Sequence, residues 1–134
     1  MYYISEERER IAPERVMELL KQSYWAEKRT LETIRTSMEH SLLYGVFEKE
    51  TERQVAFARV ITDFATTWYL CDVMVDEAHR GHGIGKMLIA HITSDPRLKD
   101  VFGMLLTRDA HGLYSQYGFK PKEGIYMGRD GKAQ

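Results

Sequence analysis

The stretch Arg-Gly-His-Gly-Ile-Gly-Lys, at positions 80–86, constrains the chain more than any other. It follows an apolar run with strand character, Trp68 to Val75, and leads into Met-Leu-Ile-Ala-His-Ile at 87–92, where apolar residues recur at helical spacing. The order is therefore strand, glycine-rich turn, helix. Alternate glycines let the backbone adopt conformations closed to other residues and let it approach a ligand closely. The helix start behind them adds unpaired N–H donors and the positive end of a macrodipole. Such a turn can cradle a phosphate or pyrophosphate through the amides of Gly81, His82, Gly83, Ile84, Gly85 and Lys86, with Arg80 and Lys86 adding charge. Lys86 reads equally as a solvated helix residue.

The chain has 134 residues, enough for one domain (1–134) with a real core. A hydrophobic content of 43%, a charged content of 29% and a formal net charge of -1 describe a globular domain. That charge gives no general attraction to nucleic acid or to an anionic membrane. The single cysteine, Cys71, lies inside the apolar strand and reads as an inert buried thiol; it excludes an internal disulfide. No apolar run reaches the roughly 18 residues of a membrane span. Residues 1–10 lack the apolar core of a signal peptide. A cytoplasmic protein is expected. No Glu/His pair falls at a recognised ligand spacing, so no metal is expected.

Along the chain, residues 2–4 read as a short strand and 13–23 as an amphipathic helix with Pro13 in its first turn. Tyr24 and Trp25 follow, either capping the core or walling a ligand pocket. Thr30 can cap a second helix bearing Leu31, Ile34 and Met38. Strands are expected at 43–48 and 54–62, joined as a hairpin, then at 67–75 and 101–107. By alternation Arg59 shares a face with Phe57 and Ile61, so it is paired, with Asp63 as the nearby candidate, or it points into a cleft. Asp72 is the one charge within the 67–75 strand. A helix is expected over 83–93, and a turn over 109–112 is expected to open a short one over 113–117, closed by Gly118 in the left-handed region, with Phe119 packing back. A last strand is expected at 125–127, and 128–134 reads as a frayed polar tail.

Two separated segments resemble one superfamily, the GNAT acyltransferases. Its pyrophosphate-loop pattern, Arg/Gln-x-x-Gly-x-Gly/Ala, is matched by Arg80, Gly83 and Gly85. Its A-x-x-L-Y-x-x-x-G-F segment is matched at positions 110–119. The chain is most similar to small bacterial members that carry Ser-Tyr-Trp-Ala early, here 23–26, and Thr-Arg-Asp-Ala-His-Gly-Leu-Tyr late, here 107–114. The resemblance implies an α/β (α+β) fold, with a mixed sheet of about six or seven strands, about four flanking helices and a splay between the fourth and fifth strands.

It also implies an acetyl-CoA-dependent N-acetyltransferase. The pantetheine arm would lie along Val73, Met74 and Val75 like an added strand. Thr107 stands where many relatives have a cofactor-contacting asparagine. Tyr114 matches the tyrosine that protonates the departing thiolate, since a phenol with a pKa of about 10 keeps its proton at pH 7. For the base, Asp72 is a candidate if burial raises its pKa; it could also bind a cationic amine or pair with Arg59 or Arg108. His111 is either a cap or a base. The acceptor is expected to be a small primary amine in a pocket across the sheet break, walled by Tyr24, Trp25, Arg59 and Asp63 with His111 nearby. A protein lysine or N-terminus as acceptor, and a non-catalytic acyl-CoA sensor, are the alternatives. A homodimer is a tendency of the superfamily.

Overall fold

The computed structural model describes residues 1–131. Its elements are β1 (Tyr2–Ser5), α1 (Pro13–Leu20), α2 (Leu31–Glu39), β2 (Leu42–Glu48), β3 (Gln54–Thr62), β4 (Thr67–Val75), α3 (Ile84–Thr93), β5 (Phe102–Leu105) and α4 (His111–Ser115), with short 3-10 turns at Arg8–Arg10 and Glu77–His79. The sheet order is β1-β2-β3-β4-β5. The first four strands pair antiparallel in sequence, whereas β5 pairs parallel to β4 after crossing over through α3.

Alternation along the strands divides the core between two faces of this sheet. Tyr44, Val46, Ala56, Ala58, Val60 and Leu70 pack with α3 and with Tyr114 of α4. Leu43, Phe47, Phe57 and Met74 pack with Val16, Leu19 and Leu20 of α1 and Ile34 and Met38 of α2. Helix α1 stops at Leu20, short of the expected Ser23, because the Ser23 hydroxyl donates to the Leu20 carbonyl and accepts from the Ala26 N–H, taking over the backbone groups a continuing helix needs. Helix α2 starts where the sequence places its cap: Thr30 Oγ1 accepts from the Thr33 N–H at 3.1 Å.

Two irregularities position the site. Pairing of β3 with β4 runs Phe57↔Met74 and then Arg59↔Cys71, so Asp72 and Val73 together oppose Ala58. This is a β-bulge, and Asp72 takes a left-handed φ of 55° in it. Secondly, β4 and β5 pair only from Thr67↔Phe102 to Leu70↔Leu105. Beyond Leu70 the two strands separate, as expected for a splayed sheet.

Among the described residues the sheet has five strands, fewer than the expected six or seven. The run Ile125-Tyr126-Met127 is exposed and is not a strand: Gly124, at φ 73°, opens a turn over 123–125 that takes up Ile125. Of the expected frayed tail, 128–131 are exposed and 132–134 lie outside the described residues. No helix among the described residues is long and apolar enough to cross a membrane.

Candidate active site

The glycine-rich turn is shaped by two left-handed residues, Gly81 at φ 86° and Gly83 at φ 76°. A Cβ on either would meet nothing within 4 Å, so backbone conformation, not crowding, is what calls for glycine there. Gly83 is the N-cap of α3 and offers no side chain to cap it. The first helical bond runs from Met87 N–H to the Gly83 carbonyl, which leaves the N–H groups of Ile84, Gly85 and Lys86 without helical acceptors. Arg80 Nε donates to the Val75 carbonyl at 3.3 Å, holding the guanidinium stem against the end of β4. Lys86 is exposed. The connector ahead of the turn is anchored by Asp76, which caps the Ala78 N–H and accepts from Arg15 Nη2 (2.8 Å) and Gln22 Nε2 (3.3 Å) of the α1 layer.

From this turn a cleft of about 650 Å³ extends between β4, the segment after α1 and the start of α4. Val73, Met74 and Val75 form one side, Tyr24 and Trp25 another, and Ala110 and Leu113 a third. The β4 side is the stretch left without a β5 partner, so its outward N–H and C=O groups have no strand to bond. Tyr24 and Trp25 stack edge to face at 5.1 Å, and the Arg108 guanidinium lies 4.1 Å from the Tyr24 ring centre. Both aromatics thus share one cleft with the glycine-rich turn, where a pocket across the sheet break was expected.

Tyr114 is buried against α3 and Phe119 (ring centres 6.0 Å apart). The Gly118 turn at φ 89° brings Phe119 back, with its N–H on the Tyr114 carbonyl. Tyr114 Oη has no hydrogen-bond partner among the described residues, yet it is not one of the two orphaned polar atoms sealed from solvent, Tyr44 Oη and Gln54 Oε1; it therefore reaches solvent. Burial, then the charge of Asp109, raises its pKa, so the phenol keeps its proton at neutral pH. Thr107 Oγ1 accepts from the Ala110 N–H at 3.0 Å and thereby shapes the entry to α4. His111 is exposed as the first residue of that helix.

Asp72 differs from its expected role as a base. Arg59 Nε (2.6 Å) and Arg29 Nη1 (2.7 Å) both donate to its Oδ2, and Trp25 Nε1 donates to Oδ1 at 3.3 Å. Burial pushes the carboxyl up, but the two guanidiniums outweigh it and hold the pKa below the usual carboxylate value. A carboxylate so held is a poor proton acceptor. Arg59 does not pair with Asp63. Asp63 is exposed in the β3–β4 turn, where it accepts from the N–H groups of Ala65 and Thr66 and from the Thr66 hydroxyl. Its acceptors are used locally, and no contact joins it to the cleft among the described residues. Cys71 is a buried thiol whose pKa burial raises to about 11.

A family model described as acetyltransferase (GNAT) domain matches residues 39–121, more than half of the chain. The chain belongs to the GNAT acetyltransferase family. A curated relative, the chloroplastic GCN5-related N-acetyltransferase 1 of Arabidopsis thaliana, is 30% identical over 96 residues, covering 69% of this chain and 48% of its own length. The GNAT chain spans about half the length of the curated relatives it matches. Among solved structures, a GNAT-family protein of Xanthomonas campestris pv. campestris is 36% identical with a TM-score of 0.89, covering 97% of this chain and 93% of that one. A Staphylococcus aureus protein of unknown function shares the fold at 22% identity and a TM-score of 0.81, covering 98% and 99%.

Three parts of this GNAT site were not read from the sequence. Arg29 lies in a polar run, and its partner is 43 positions away. The Arg15–Asp76–Gln22 links likewise cross from one layer to another. His79 lines the cleft with its Nδ1 hydrogen-bonded to Tyr2 Oη at 2.9 Å, a contact spanning 77 positions. Only Asp76 carried a local signal, as a short acidic residue placed to cap the 3-10 turn that follows it.

Proposed function

We propose that this domain transfers the acetyl group of acetyl-CoA to the primary amine of a small molecule. The observation that carries the reading is the unpaired edge of β4 beyond Leu70, which runs into a turn of free backbone amides. An extended chain of amides can bond to that edge as a strand would, and the amides of α3's first turn suit the pyrophosphate that follows it. Val73, Met74 and Val75 hold the arm in this reading, Gly81 to Lys86 hold the pyrophosphate, and Arg80 adds charge.

The amine attacks the thioester carbonyl carbon as a free base. The C–N bond forms, the C–S bond breaks, and an N–H of the β4 edge stabilises the oxyanion. Tyr114 Oη gives its proton to the thiolate. The amine's surplus proton leaves through the open cleft, and the phenolate recovers one, so a protonated amine and a thioester become an amide, a thiol and a released proton. Asp72 takes no proton in this scheme; it organises the cleft wall. The buried thiol at Cys71 fits a cytoplasmic setting.

The test is thiol release from acetyl-CoA against a library of small amines. Turnover with at least one amine is expected, and Tyr114→Phe should lower kcat by about a hundredfold or more while leaving CoA affinity nearly unchanged. A thermal shift with CoA but no thiol release from any amine would leave a sensor in place of an enzyme. Equal turnover in Tyr114→Phe would remove the general acid.

A further inference from the structure

Behind the cleft wall, two cations share one anion. Arg29 and Arg59 both donate to a single oxygen of Asp72, and the other Asp72 oxygen takes the neutral Trp25 indole N–H. The second contact of Arg59, from Nη1 to Ser41 Oγ at 3.2 Å, is also to a neutral group. Among the described residues no other carboxylate forms an ion pair with either arginine. Formal counting leaves one positive charge. Both arginine side chains are only 11% exposed, so bulk water does little to screen it.

The spare donors also have an outlet. Arg29 Nε and Nη2 and Arg59 Nη2 make no hydrogen bond among the described residues. None of them is sealed from solvent as Tyr44 Oη and Gln54 Oε1 are, so they open onto solvent. A largely buried guanidinium with uncompensated charge and accessible free N–H groups is complementary to a carboxylate or phosphate, whose oxygens match its planar fork. The cluster adjoins the cleft through Trp25, which lines it while bonding Asp72, and through Val73, the neighbour of Asp72. Arg108 over Tyr24 places a third guanidinium on the same segment.

We infer that the acceptor amine carries an anionic group, a carboxylate or a phosphate, which Arg29 and Arg59 bind. The inference rests on the acetyl-transfer reading for the identity of the ligand and on the arginine pair for its charge.

The experiment compares matched amines with acetyl-CoA: β-alanine against β-alaninamide for the carboxylate, and O-phosphoethanolamine against ethanolamine for the phosphate. The same compounds are titrated into labelled protein while the guanidinium Nε–H resonances of Arg29 and Arg59 are followed by NMR. At least one anionic member should exceed its neutral partner in kcat/KM by about tenfold, mainly through KM, and should shift the arginine resonances. Which pair shows the difference tells carboxylate from phosphate. Arg29→Gln should abolish the preference while CoA affinity is kept, and Arg29→Lys should restore part of it. Shifts from the anionic compounds alone, with no turnover of any amine, uphold the anion site and overturn acetyl transfer. Resonances unmoved by either anionic compound, or a preference that survives in Arg29→Gln, overturn the inference.

Discussion

Asp72 occupies a left-handed backbone position that few side chains tolerate, and aspartate is among those enriched there. From it the carboxylate gathers Arg59 of β3 and both Trp25 and Arg29 of the segment after α1. Removing its charge would leave two mostly buried guanidiniums facing each other. We expect Asp72→Asn to destabilise the domain by about 3–5 kcal/mol, read from denaturant midpoints. The pH dependence has a definite sign. The folded pKa lies below the ordinary value, so the contribution of Asp72 is complete above the unfolded pKa of about 3.9 and is lost as pH falls through the lower folded value. Wild-type stability should therefore drop below about pH 4 with a component missing from the variant. The acidic limb of kcat/KM should persist in Asp72→Asn; its disappearance would restore Asp72 as the base. The sequence shows that Arg59 needs a partner and offers two, Asp63 by proximity and Asp72 from the next strand; the structure takes Asp72. The hairpin turn uses the acceptors of Asp63, and the bulge that presents Asp72 leaves no mark in the alternation of apolar residues.

The turn and α3 act together, because the helix supplies donors that the turn leaves uncapped. Gly83 is the joint. Alanine at φ 76° should cost about 1–2 kcal/mol and displace the first-turn amides. The kinetic signature of Gly83→Ala should be a raised KM for acetyl-CoA with kcat little changed, as expected when binding shared equally by the ground state and the transition state is lost. Gly112 is a matched control, since it lies in α4 with open space around its Cβ position and no positive φ. Gly112→Ala should be neutral or stabilise by up to about 1 kcal/mol. A Gly112→Ala variant with the same rise in KM would mean that the turn's conformation is not what matters. The same joint explains what could be read from sequence. The bounds of β3 and β4 follow from long apolar runs closed by polar turns, and α3 from helical spacing behind its glycines. The expected strand at 125–127 failed because strand-forming residues without pairing partners do not make a strand.

The architecture leaves an open edge inside a sheet. A strand inside a sheet has both rows of backbone groups paired; β4 has both rows paired only up to Leu70, and beyond it the outer row opens into the cleft. The α3 crossover makes this possible, since it returns the chain to β5 beside the start of β4 while the turn and the helix N-terminus stand at the other end. The unpaired row and the free amides thus lie in series along one cleft. Hydrogen exchange can test that arrangement directly. Without ligand, the outward amides among residues 71–75 should exchange far faster than those of the paired stretch 67–70, although both belong to the same strand. Saturating CoA should slow the outward amides of 71–75 and the amides of 84–86 together, by about a hundredfold at a ligand concentration of 100 Kd. Amides of β3 that already bond β4 should change little. Protection confined to the outer edge of β5, with residues 71–75 still exchanging freely, would place the cofactor elsewhere and remove the basis for acetyl transfer at this cleft.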